Sequence, residues 1–204
     1  CPVAKEYLFK NKNYGITEYL AKKSDIVGKE VMLIYNRKLS VSPLTTHIPL
    51  KKVSKKISKI NIVNKIKTIN KFYLKYLKKK PNIAILGLNP HSFSPLKESE
   101  EEKIIKPAIK ILKKLNIKIN GPISPDTSFF ISKLMKFDVI YGMYHDQVLA
   151  PFKTMYGYDA INITLGLPYI RISPDHGVAQ NIIGKNLANP KSLIKSLKFF
   201  NYLK

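Results

Sequence analysis

The chain of 204 residues contains a single cysteine, Cys1, and no tryptophan. One thiol excludes an internal disulfide and any zinc site built on several thiolates, and it fits a reducing, cytoplasmic compartment. No apolar run reaches the ~18 residues that a membrane-spanning helix needs, and no signal-peptide pattern is present. Arginine is nearly absent: of 36 basic residues only Arg37 and Arg171 are arginine. Acids are few, 13 against those 36, so the formal net charge is +23. Such an excess invites a nucleic-acid reading. Nucleic-acid readers, however, favour the planar guanidinium fork, which pairs bidentately with phosphate and guanine. Here lysine is dispersed among isoleucine and asparagine, as in residues 51–80, the pattern of a solvated surface in a chain with A/T-rich codons. No nucleic-acid and no membrane partner is expected.

What is present is a normal core. At 45% apolar residues the chain is long enough for one domain, or one large lobe with an appendage, and is too apolar for disorder. Thr17 reads as the N-cap of a first helix. Residues 30–35 and 39–46 read as strands, the second ending at His47. In residues 51–80, Val53, Ile57, Ile60, Val63 and Ile66 recur at helical spacing. Residues 82–88 form a short apolar run of the buried parallel type. Residues 99–115 read as a helix with an acidic first turn, Glu100 to Glu102, favourable to its dipole. Residues 121–127 read as a rigid loop leading into a helix at 128–135. Strands are expected at 137–144, 160–165 and 169–172, with helices at 177–183 and 190–203. Strands alternating with helices give the α/β class. The chain starts Cys-Pro-Val-Ala-Lys without an initiator Met and reads as a fragment or a processed product.

Only four histidines occur: His47, His91, His145 and His176. The first three fall just past predicted strands, where open α/β sheets place ligands. Three neutral imidazoles leave open positions on a divalent ion, as a catalytic site requires. Their separations of 44 and 54 residues form no local metal motif, so spacing alone favours three unrelated loop-end histidines. Asp126 and Asp146 are candidate acceptors that fix imidazole tautomers, or plain caps. Lys153, Asn162 and Arg171 recur at intervals of nine. Asn162 and Arg171 interrupt apolar strands and require a polar or anionic partner, either a substrate phosphate or carboxylate or an internal acid. His176 and Gly177 open a predicted short helix whose N–H groups could face a cofactor; an ordinary glycine turn is the plainer reading.

Six phrases occur in order: TTHIPL, LGLNPH, NGPISPDT, MYHDQ, NITLGLPYIR and DHGVAQNIIG. Together they resemble the 4-hydroxythreonine-4-phosphate dehydrogenase family of vitamin B6 biosynthesis, over nearly the whole chain. The last phrase, with GKNLANP after it, is also similar to the cofactor loop of isocitrate and isopropylmalate dehydrogenases. The resemblance implies a three-layer α/β/α lobe with a mixed, largely parallel sheet, isopropylmalate-dehydrogenase-like, from which the N-terminal part of the second lobe is missing. Residues 1–175 would form the metal- and substrate-binding, dimerising lobe. Residues 176–204 would carry the cofactor loop and a helix returning to the second lobe.

The implied ligands of one divalent metal (Zn, Mg, Co or Mn) are His47, His91 and His145, shared across a homodimer. Implied substrate contacts are Thr17, Lys153, Asn162 and Arg171. His176, Gly177, Ala179 and Asn189 match the loop that holds NAD or NADP. The implied reaction is NAD-linked oxidation of a secondary alcohol in a small phosphorylated hydroxy amino acid, followed by decarboxylation. Candidates for the base are Asp126, Asp146 and Lys153.

Three departures stand out. Ile16 replaces a histidine of the family, a loss worth about 1–3 kcal/mol of substrate binding. Ser92-Phe93-Ser94-Pro95-Leu96 replaces a glycine-rich stretch. The family's first hundred or so residues have no counterpart. A sister dehydrogenase of threonate or erythronate 4-phosphate, or a non-catalytic remnant of a truncated gene, are the rival expectations.

Overall fold

The computed structural model describes residues 15–92 and 98–203. Of the reshaped loop expected at residues 92–96 all but Ser92 lies outside the described residues, as does the lone Cys1. Seven strands form the frame: β1 (Val31–Tyr35), β2 (Ser40–Thr45), β3 (Ile83–Leu86), β4 (Ile119–Ile123), β5 (Val139–Tyr144), β6 (Ile161–Leu165) and β7 (Arg171–Pro174). They make one mixed sheet in the order β4-β3-β5-β2-β1-β6-β7. Strands β4, β3, β5 and β2 run parallel; β1, β6 and β7 add antiparallel pairings.

Both faces of the sheet are covered. Alternation along β1 sends Val31 and Leu33 to one side and Met32 and Ile34 to the other. On the first side lie α3 (Lys59–Tyr76), through Ile62, Ile66, Ile69 and Phe72, and α4 (Lys106–Lys114), through Ala108, Ile109 and Leu112. On the second lies α6 (His145–Tyr156), through Val148, Leu149 and Phe152. The remaining helices are α1 (Ile16–Lys23), α2 (Val53–Lys56), α5 (Pro125–Ile131) and α7 (Lys191–Tyr202). The three-layer α/β/α lobe expected from the sequence is therefore present.

Several local expectations change. Thr17 is not the cap of α1: Gly15 occupies that position, and Thr17 is buried at the second helical position. The helical stripe through residues 53–66 breaks at Ile57, where Ser58 starts a new helix by accepting the Asn61 N–H. The phase then shifts, so Ile60 faces solvent and Ile62 and Ile66 enter the core. Residues 121–123, read as loop, belong to edge strand β4. There proline costs no ladder bond because the outer side is unpaired. The next helix starts earlier than 128, at Pro125, a residue preorganised for a first turn. Helix α6 went unread because Pro151 interrupts its pattern. The acidic turn at Glu100 to Glu102 is not a solvated dipole partner throughout, since Glu101 is fully buried. No α-helix spans residues 177–183; only a short turn, Gln180–Ile182, follows Ala179.

No helix among the described residues is long and apolar enough to cross a membrane.

Candidate active site

Register explains the first contact. β2 and β5 are parallel neighbours with Thr45 opposite Tyr144, so the residues just beyond both ends emerge together. His47 and His145 are those residues, and their rings lie 5.8 Å apart, tilted by 41°. Each imidazole is held by a carboxylate. Asp146 Oδ1 stands 2.7 Å from His145 Nδ1. Glu18 Oε1 stands 3.2 Å from His47 Nδ1 and accepts the Thr46 hydroxyl at 2.7 Å. An ionised carboxylate can only accept, so both Nδ1 atoms donate and both Nε2 atoms remain free as bases or ligands.

Glu18 was not picked out in the sequence; in the first turn of α1 it looks like a dipole partner. Burial pushes its carboxyl up, but hydrogen bonds from His47 and Thr46 outweigh burial and hold it at about 2. Its second oxygen, Oε2, is buried without a partner. Gly15 is required beside it, because a Cβ there would lie 2.1 Å from Glu18 Oε2 and 2.7 Å from His47 Nδ1.

The polar residues of β6 and β7 share the α6 side of the sheet. Asn162 and Thr164 pair with Ser173 and Arg171 across the ladder, and with Ile34 and Met32, which lie under α6. Arg171 Nη1 donates to Thr164 Oγ1 at 2.7 Å. Arg171 has no acid within ion-pair distance among the described residues, so the internal salt bridge considered from sequence is not formed with any of them. Burial lowers its pKa, opposed by Tyr169 and Glu18. Asn162 Oδ1 is buried and unpartnered. Lys153 on α6 donates to the Asp175 carbonyl at 2.6 Å and to its carboxylate. Asp175 is itself fixed by its N–H to Ser192 Oγ at 2.8 Å. Burial raises the Asp175 carboxyl against the pull of Lys153, His176 and His145. The charge of Glu18 is felt at Arg171, and that of His145 at Asp175. Thr17 adjoins Glu18 on α1 but is almost fully enclosed.

Other candidates lie apart. His91 faces Asp126 instead, Nδ1 to Oδ2 at 3.3 Å, with its side chain 77% exposed. The Ser124 hydroxyl lowers the Asp126 carboxyl. Among the described residues no three His, Cys, Asp or Glu side chains gather closely enough to hold a metal. One copy of the chain therefore brings two of the three expected imidazoles together, while the third stands against Asp126 and completes no cluster with them among the described residues. His176 Nδ1 donates only to its neighbour's carbonyl, Gly177 O, at 3.0 Å. Gly177 has open space where a Cβ would stand. Ala179 adopts a left-handed φ of 52°, and Asn189 caps α7 by accepting the Lys191 N–H.

The family model described as "Pyridoxal phosphate biosynthetic protein PdxA" matches residues 1–200. The chain belongs to the PdxA family.

A 4-hydroxythreonine-4-phosphate dehydrogenase from Sulfurihydrogenibium sp. is 45% identical over 208 aligned positions, covering 100% of this chain and 63% of its own length. One from Aquifex aeolicus is 44% identical, covering 93% of this chain and 58% of itself. A crystal structure of the Klebsiella pneumoniae 4-hydroxythreonine-4-phosphate dehydrogenase superposes with a TM-score of 0.81 at 32% identity, over 100% of this chain and 63% of that one. The chain thus spans less than two thirds of the length of these relatives.

Proposed function

We propose that this PdxA-family chain provides the metal- and substrate-binding lobe of a 4-hydroxythreonine-4-phosphate dehydrogenase. The reaction is NAD-linked oxidation of the secondary alcohol of 4-phosphohydroxy-L-threonine, with decarboxylation to 3-amino-2-oxopropyl phosphate, a step toward pyridoxal 5'-phosphate. The observation that carries this reading is the pair His47 and His145, 5.8 Å apart with each Nδ1 on a carboxylate. That donor set fits a divalent metal, since carboxylate-held imidazoles are oriented and more basic ligands. When bound, the metal supplies Lewis acidity toward hydroxyl and carboxylate oxygens.

The chain's own residues account for the rest. Arg171 and Lys153 present cations to the substrate phosphate and fix its position. Asn162 offers an amide with a vacant acceptor. Candidates for proton transfer are Lys153 and Asp146, and Asp126, which stands beside His91. His176, Gly177, Ala179 and Asn189 line an exposed stretch suited to NAD or NADP. The third ligand, His91, comes from a second copy of the chain. In support, α5, which carries Asp126 beside His91, exposes Phe130 at 89%, and Leu134 follows it at 81%. Such an apolar patch marks an interface. Likewise Ile194, Leu197 and Phe200 on α7 are left uncovered, as expected where the relatives' additional residues complete a second lobe.

Ile16, at the start of α1 beside Thr17 and Glu18, favours a second reading with altered substrate choice, a four-carbon sugar-acid phosphate such as threonate or erythronate 4-phosphate. The experiment is nicotinamide reduction by the natural full-length protein with NAD and a divalent metal over this small panel. Reduction with 4-phosphohydroxy-L-threonine supports the first reading. Reduction only with the sugar-acid phosphates supports the second, and none with any of them overturns both.

A further inference from the structure

A carboxylate far from the paired histidines calls for an explanation. Glu101 is the only acidic side chain among the described residues with no solvent exposure. No cation forms an ion pair with it among those residues. Its charge is met by a loop: Oε1 accepts the Leu88 N–H at 2.7 Å and the Asn89 N–H at 2.9 Å, and Oε2 accepts Asn89 Nδ2 at 2.8 Å. A buried charge persists only when it is matched in this way. Glu101 also opens a one-turn π-helical stretch, Glu101–Ile105, before α4. Such wide turns are frequent at functional sites.

The same loop is gripped from its other side. Gln147, two residues after His145, donates Nε2 to Gly87 O at 2.8 Å and accepts the Met143 N–H at 2.6 Å. Directly after these gripped residues, 87–89, the chain turns through His91 and Ser92, both left-handed at φ 56° and 52°. Each such residue costs about 1–2 kcal/mol relative to an ordinary conformation. Two in succession persist only where surrounding contacts over-determine them, and they cluster at ligand sites.

We propose that Glu101, opposed by Gln147, is the positioning residue of the His91 loop. It holds His91 in its left-handed conformation, projecting from the subunit as a ligand for the metal of a second copy. This rests on the metal reading above.

The test uses the natural full-length dimer with Zn²⁺ as probe. Zinc affinity is measured by chelator competition for wild type, Glu101→Gln, His91→Ala and the double variant. Amide exchange at Leu88 and Asn89 is followed in the metal-free protein. Glu101→Gln is expected to speed that exchange and weaken zinc about 10–100-fold, with the double variant no weaker than His91→Ala alone. A carboxylate that merely supports the fold would weaken zinc equally in the His91→Ala background, and that result overturns the proposal. So does wild-type zinc affinity in Glu101→Gln when His91→Ala has lost it, which leaves the metal reading standing. Full zinc affinity in both single variants removes His91 from the ligands and overturns the proposal, whereas absence of zinc binding by wild type removes the metal reading itself. Should Glu101→Gln not fold, Asn89→Ala removes one contact of the same grip, together with the Asn89 hydrogen bond to Glu100. It is expected to cost about two- to tenfold in zinc affinity, the worth of one hydrogen bond, and no loss there overturns the proposal.

Discussion

The corner formed by His47 and His145 and the stretch from His176 to Asn189 carry equally family-like phrases, yet they are built differently. The corner hangs from two adjacent parallel strands, and each imidazole is tied to a carboxylate. The stretch has a single short turn, and Gly177 has open space where a Cβ would stand. Strand register can fix a side chain without help from outside the chain. A loop with little to pack against gains its form from what it binds or from the rest of a longer protein.

The sharpest way to break this comparison is to remove an imidazole from each region. His47→Ala or His145→Ala is expected to weaken divalent-metal binding by at least about a hundredfold, while His176→Ala leaves it unchanged; metal content of the purified variants measures both. Equal losses in all three would erase the distinction.

Acid unfolding gives the next largest effect. Glu18 has an ordinary value of 4.5 and is held at about 2 in the folded chain. A depressed carboxyl stabilises fully above the unfolded value, and that stability fades as pH falls from about 4.5 toward 2. With allowance for partial exposure, the contribution is on the order of 2 kcal/mol. Glu18→Gln should flatten the acid limb in denaturant unfolding between those limits, and an unaltered limb would count against the contact.

Two glycines then sharpen the contrast. In Gly15→Ala the new Cβ displaces the end of the Glu18 side chain, which can swing away. The cost therefore falls on the Glu18–His47 contact, as about a tenfold loss of metal affinity together with up to about 2 kcal/mol of stability near neutral pH. Gly177→Ala meets nothing within 4 Å and should change stability by less than about 0.5 kcal/mol. A larger shift in thermal unfolding would show that residues 176–189 are packed after all.

The legible parts of this protein were those in which one short window carries its own physical signal. The apolar runs of β1, β3 and β5 announced buried strands, and a histidine after a strand announced a sheet-end position. β4 was hidden because Gly121 and Pro122 look like a turn, and only its place at the sheet edge makes them acceptable. α6 was hidden by Pro151. Glu18 and Glu101 were unreadable for a common reason: each sits in the first turn of a helical segment, where a carboxylate is ordinarily a solvated dipole partner. Nothing nearby in sequence shows that one faces His47, 29 residues away, and that the other faces the Leu88 and Asn89 amides.

By itself the sequence determined the α/β class, the covered sheet and the set of side chains able to do chemistry, because period and residue type are local properties. Only the tertiary structure decided which of them meet. Parallel pairing of β2 with β5 joins His47 to His145, and the left-handed turn after β3 sends His91 elsewhere. Hydrogen bonds act over about 3 Å, and the chain must fold back on itself before residues so far apart in sequence come within that reach.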